Sequence, residues 1–133
     1  MADKNTRRHA DRMRDRLDDG ELVLSVQPVN GPLSSPPSED AAVGEASIAQ
    51  SFKRAAPSGR PWLLCVTDRR LLFTWLKAQS SDQAIPRAEV TTLEAAGRRL
   101  LATRFTLCFR DGSTLDFTAR HRAYEHLAAA LHQ

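Results

Sequence analysis

The groups in this chain that could do chemistry are four histidines, two cysteines and a scatter of basic side chains. His121 and Glu125 stand four apart in a helix-forming stretch, so both fall on one helix face. Two such ligands are half of a metal site. The same spacing also serves an ordinary contact between solvated polar side chains, and that reading is the expected one. Cys65 and Cys108 each lie inside an apolar run with no base nearby in sequence, which marks them as small buried thiols in a reducing compartment. HExxH, GxSxG and phosphate-binding Gly-rich patterns are absent from the sequence. No catalytic set assembles, so the chain is expected to be no enzyme and to need no metal or cofactor.

The basic residues suggest other partners. Lys53, Arg54 and Arg60 fall on a Pro-rich stretch, and Arg69 and Arg70 on a hairpin tip. Brought together, they could contact an anionic lipid surface, each worth about 1 kcal/mol. Asp68, Glu39, Asp40 and Glu45 dilute that cluster, so the expected membrane binding is weak. Arg98, Arg99, Arg104 and Arg110 could line a strand face for nucleic acid, but they lack interleaved aromatics for stacking. With Lys+Arg 19 against Asp+Glu 16, the net charge of +3 is too mild to imply nucleic acid. The charged N-terminus has no apolar core of a signal peptide, and the Trp62–Val66 run is too short to span a bilayer, so the expected location is cytoplasmic.

The elements that must position these groups follow from pattern. Residues 5–19 read as a helix capped by Asn5 or Thr6 and ended by Gly20, with Ala10, Met13 and Leu17 as a thin apolar stripe. Residues 21–29 read as a strand. Pro, Ser, Ala and Gly then dominate, and 30–61 is expected to be one long loop, with the stretch 39–56 open between strand and helical turn. Strands are expected at 62–67, 70–77, 89–96, 99–110 and 113–118, with an extended piece at Ile85-Pro86. The chain ends in a helix with Tyr124, Leu127 and Leu131 on its core face and Ala128 beside them.

Side chains alternate along a strand, so loop length decides which residues share a face. In "RFTLCFRDGSTLDFT" a three-residue loop, Arg110-Asp111-Gly112, opposes Leu107 to Leu115 and Phe105 to Phe117, with Gly112 in the left-handed position. The other face is then Arg104, Thr106, Cys108, Arg110, Thr114, Asp116 and Thr118, which suits water. In "WLLCVTDRRLLFTW" a four-residue loop, Thr67 to Arg70, pairs Val66 with Leu71, Leu64 with Phe73 and Trp62 with Trp75. Its opposite face carries Leu63, Cys65, Leu72 and Leu76, too apolar to stand in water. A second chain, as a homodimer or higher oligomer, is the expected cover. The competing cover is the stripe Ala10, Met13 and Leu17. Asp68 is expected to accept backbone N–H groups within the turn.

"LLCVTDRRLLF", then "IPRAEVTTLE", then "LCFRDGSTLDF" and a terminal helix resemble the bacterial pleckstrin-homology-like domains, with GRAM domains similar, over roughly residues 20–132. The resemblance implies a mainly β (α+β) fold. Its elements are a strongly bent antiparallel sheet or partly open barrel of about seven strands, a C-terminal helix as cap, and here a short N-terminal helix. Residues 1–19 would form an arm, and 20–133 a single domain. From the missing catalytic set and the two-sided apolar hairpin, the expected function is non-enzymatic: an interaction module binding protein through the Leu63, Cys65, Leu72 and Leu76 face, by self-association or to a partner. The alternative is peripheral membrane binding through Lys53, Arg54, Arg60, Arg69 and Arg70.

Overall fold

A computed structural model describes residues 4–33, 47–55, 60–75 and 83–132. Seven strands form one antiparallel sheet: β1 (Val23–Gly31), β2 (Arg60–Thr67), β3 (Arg70–Trp75), β4 (Gln83–Pro86), β5 (Val90–Arg99), β6 (Ala102–Phe109) and β7 (Thr114–Arg120). Three α-helices join them: α1 (Lys4–Met13), α2 (Ile48–Ala55) and α3 (His121–Leu131). The spatial order is β4-β3-β2-β1-β7-β6-β5, and the sheet is open.

The two hairpins show why these runs pair as they do. Leu107 faces Leu115 and Phe105 faces Phe117 across β6 and β7. Gly112 takes φ 85° in the connecting loop, a conformation that side-chain-bearing residues reach at a cost. Val66 faces Leu71, Leu64 faces Phe73 and Trp62 faces Trp75 across β2 and β3. The first register keeps the apolar residues on one face; in the second both faces are apolar, and the even length of the connecting loop sets the pairing.

The sheet must bend sharply. Phe73 and Phe117 stack with centroids 5.3 Å apart, yet β3 and β7 are separated by β2 and β1. In a flat sheet three strand steps would part them by roughly 14 Å. The halves β1–β4 and β5–β7 therefore close over a shared core containing Trp62, Leu64, Phe73, Phe105, Phe117 and Leu127, each at most 1 % exposed. Each such side chain contributes on the order of 1.5–3 kcal/mol by leaving water. The seam between the halves is thin: Asn30 pairs with Thr118, and the Leu33 N–H donates to the Asp116 carbonyl at 2.8 Å.

α3 closes the core with Ala123, Leu127 and Ala130 buried and with Tyr124 and Leu131 packed beside them, so Ala130 takes the inward place expected of Ala128. The last carbonyls of α3 are met by Arg87, whose Nη2 donates to Ala130 O at 3.0 Å and Leu131 O at 3.2 Å. A cation at a helix C-terminus satisfies unpaired acceptors and complements the helix dipole.

Three sequence expectations are corrected. The segment 30–61 is not one long loop: β1 runs through Gly31, α2 forms within the segment, and β2 begins at Arg60. α2 forms because Phe52, 3 % exposed, plugs the core against Trp62, Phe73 and Phe117. Its first turn is held by the Asp111 carboxylate, which accepts the Ile48 N–H at 2.8 Å. Second, the N-terminal helix ends at Met13 rather than near residue 19, and a 3-10 turn, Arg14–Arg16, follows. Asn5 and Thr6 lie inside α1 rather than ahead of it, and both reach β1: the Thr6 hydroxyl accepts the Val26 N–H and the Asn5 amide donates to Gln27, each at 2.9 Å. Third, the β5–β6 turn is Leu100-Leu101, not the Gly97-Arg98 point that separate strands at 89–96 and 99–110 require. Gly97 instead sits at a register shift within β5, where glycine's missing side chain eases a bulge.

Candidate interaction surface

The apolar face that the sequence assigns to a second chain is covered from within the same chain. Leu63, Cys65 and Leu72 are at most 3 % exposed and pack with Val26 under Met13 of α1, with Leu17 and Val23 at the margin. Met13 itself is fully buried, and its sulfur accepts the Thr74 hydroxyl at 3.8 Å. The competing stripe is thus the observed cover, carried by Met13 and Leu17. Leu76 lies outside the described residues.

The Thr67-Asp68-Arg69-Arg70 tip holds that cover in place. Thr67, not Asp68, organises the turn: its hydroxyl accepts the N–H groups of Arg69 at 3.1 Å and Arg70 at 3.0 Å. Asp68 instead accepts the Leu22 N–H at 3.0 Å, tying the turn to the start of β1. Arg70 grips Glu21 with two nitrogens, Nε at 3.0 Å and Nη2 at 3.1 Å, and also donates to the Arg16 carbonyl at 2.6 Å. Arg69 reaches the Asp19 carbonyl at 3.4 Å. Burial alone would push the Glu21 carboxyl up, but hydrogen bonds from Arg70, Thr67 and the Asp18 N–H, with the Arg70 charge, hold it below its ordinary value. Arg70 is raised in turn, chiefly by its bond to Glu21. It is therefore committed to the fold, which corrects its place among the lipid contacts.

Of the remaining basic candidates, Arg69 stands exposed beside it at the hairpin tip, Lys53 and Arg54 are exposed on α2, and Arg60 opens β2 with its side chain outside the described set. The four arginines considered for nucleic acid lie apart. Arg98 stands opposite Thr103 and Arg104 opposite Gly97, so the two occupy alternate faces of one hairpin. Arg104 pairs with Asp116 at 3.1 Å, and Arg110 lies in the β6–β7 loop at the other end.

The reactive groups are dispersed. The His121 Nδ1 is 2.6 Å from the Thr103 hydroxyl. Among the described residues no cluster of three or more His, Cys, Asp or Glu side chains gathers. Cys65 and Cys108 are both free. Burial pushes the Cys65 thiol up to about 12, the Glu21 charge adding to this and Arg70 opposing it. An open cleft of about 300 Å³ lies between α2 and β4, bordered by Ile48, Phe52, Ile85 and Asp111. Asp111 is occupied there. Although burial would raise its carboxyl, the Ile48 N–H and both the hydroxyl and N–H of Ser113 hold it below its ordinary value.

What sequence reasoning missed is the β5–β6 tip. Leu100 is 98 % exposed and Leu101 80 % exposed, against 62 % for Leu22, the other large exposed apolar residue among those described. Hairpin turns usually carry Asn, Asp or Gly. Adjacent leucines there were the available signal, hidden by reading them as strand. Exposed arginines surround them: Arg98 behind the tip, Arg120 in the row of Arg99 and Ala102, and Arg122 in the first turn of α3.

No protein-family model and no curated protein matches the chain. Among solved structures, the crystal structure of the C-terminal domain of an unknown protein from Leishmania infantum is similar, with a TM-score of 0.55 over 91 % of this chain and 92 % of that one, at 15 % identity. At that identity the likeness shows the fold: an open, seven-stranded antiparallel sheet with a helical cap. No helix among the described residues is long and apolar enough to cross a membrane.

Proposed function

We propose that the chain is a non-catalytic, pleckstrin-homology-like interaction module of the cytoplasm that binds through the β5–β6 end of its sheet. The strand order, the capping helix α3 and the motif order support the family reading. One observation carries the choice of surface: Leu100 and Leu101 stand almost wholly in water at a hairpin tip. Self-association through Leu63, Cys65 and Leu72 has lost its physical motive, since α1 already removes that face from water.

The test is Leu100→Ser with Leu101→Ser. Surface substitutions away from packing change stability by within about 0.5 kcal/mol. The urea midpoint should therefore stay put. A fall of more than about 1 kcal/mol would make the leucines part of the fold, and the reading would fail. Light scattering over a range of concentrations tests for a second copy as the partner: a mass that falls in the Ser variant would identify one.

A further inference from the structure

We infer that the Leu100-Leu101 tip inserts into the interface of an anionic membrane, an inference that rests on the reading of this end as the binding surface. Two leucine side chains are a poor protein interface. Specific complexes bury about 1,200–2,000 Å² in total, and two adjacent leucines offer a small fraction of that. The neighbouring β5 edge does not extend the surface well. It is the terminal strand of the sheet, yet register shifts break it between Val90 and Thr92 and between Ala95 and Gly97. Bulges of this kind blunt an edge against pairing with another strand.

The same end suits a lipid surface in charge and in depth. The row behind the tip joins Arg99, Ala102 and Arg120, the next joins Arg98, Thr103 and Ala119, and the third joins Gly97, Arg104 and Thr118. Among the described strand residues acids appear only further down, where Glu94 and Asp116 flank Thr106, and Asp116 is already engaged by Arg104 and Thr106; on α3 the first acid is Glu125, one turn beyond His121. Arg98 lies two residues behind Leu100, roughly 7 Å at strand spacing. Apolar groups of interfacial segments sit about 5–10 Å into the headgroup boundary. Leucines at acyl depth would thus leave the guanidinium of Arg98 at phosphate level. Arg120 and Arg122 stand exposed nearby to meet neighbouring headgroups. Arginines placed this way hold apolar segments at an interface by keeping their charged heads in the polar layer.

Sedimentation of the full chain with vesicles tests this. One set is phosphatidylcholine alone, the other phosphatidylcholine mixed with phosphatidylglycerol. The intact chain should partition at least tenfold more into the anionic vesicles, and added salt should weaken that binding. Leu100→Ser with Leu101→Ser should lower it at least tenfold while circular dichroism stays unchanged. Arg98→Gln with Arg120→Gln and Arg122→Gln should lower it similarly and flatten the salt dependence. Binding that survives the loss of both leucines would be adsorption by charge, and insertion would be overturned. If the intact chain ignores anionic vesicles, the membrane is the wrong occupant. A leucine-dependent mass in light scattering would then keep the surface and replace lipid by a second copy, whereas an unchanged mass would overturn both readings.

Discussion

Arg70 binds Glu21 through two nitrogens, at 3.0 Å and 3.1 Å, and so fastens the β2–β3 hairpin tip to the segment that brings α1 onto the sheet. The Glu21 side chain is fully buried and that of Arg70 keeps 24 % exposure. A carboxylate taken out of water is tolerable only with such partners. Here the Thr67 hydroxyl and the Asp18 N–H complete the set, at 2.6 Å and 3.0 Å.

Removing one partner leaves the other stranded. Breaking a fully buried pair costs about 3–5 kcal/mol. Arg70→Met should cost somewhat less, ~2–3 kcal/mol, because water still reaches the guanidinium. The pair also sets an acid limb. The Glu21 carboxyl is held below its ordinary 4.5, so its stabilisation is present above that value and is lost as pH falls through the lower folded one. Urea midpoints measured across this acidic range should drop in the intact chain. Glu21→Gln, which cannot titrate, should lack this part of the drop.

α1 should behave as a lid. Met13→Ala removes the buried end of the contact and should cost about 2–5 kcal/mol in urea unfolding. Deleting residues 1–18 should expose Leu63, Cys65 and Leu72 and raise the fluorescence of a hydrophobic dye. An unchanged dye signal would mean that this face stays covered without the helix.

The two thiols should differ in rate. Cys108 is half-buried, while Cys65 is sealed and its thiol sits at about 12. Only the thiolate is nucleophilic. At mildly alkaline pH a thiol reagent should label Cys108 first, and Cys65 only as the chain opens. The 1–18 deletion should bring Cys65 forward, and equal labelling of both in the intact chain would contradict its burial.

Phe52 makes α2 a structural plug. Its ring centroid is 4.8 Å from Phe73 and 5.6 Å from Trp62. Phe52→Ala should cost about 3–5 kcal/mol in equilibrium unfolding. A loss below 1 kcal/mol would place α2 off the core.

Gly31 sits where a side chain cannot. A Cβ there would run into Cδ1 of Phe117 and come within 2.9 Å of the Asp116 carbonyl, and φ is +153°. Gly31→Ala should destabilise by at least the roughly 1–3 kcal/mol of overpacking. A neutral result would mean that Phe117 can step aside.

Most of the sheet was legible because a strand repeats every two residues and a core tolerates one parity. Leu107 against Leu115 and Trp62 against Trp75 needed nothing beyond loop length. α2 was not legible, since its eight residues are fixed by Phe52 packing and by Asp111, 63 residues away. Glu21 likewise reads as a strand-opening acid until a partner 49 residues distant arrives. The β5–β6 tip was misplaced because Gly97 looks like a turn and leucine does not. Local chemistry favours that reading, and only the cross-strand register overrules it.

The seam at Asn30 and Thr118 makes the molecule two hinged panels bolted through their lining rather than along the hinge. The backbone ladder contributes little there, and the stack of Phe73, Phe117 and Phe105 does the fastening. Amide exchange should find this hinge weakly guarded. Both panels should nonetheless melt as one body, because neither can leave without unstacking rings that belong to the other.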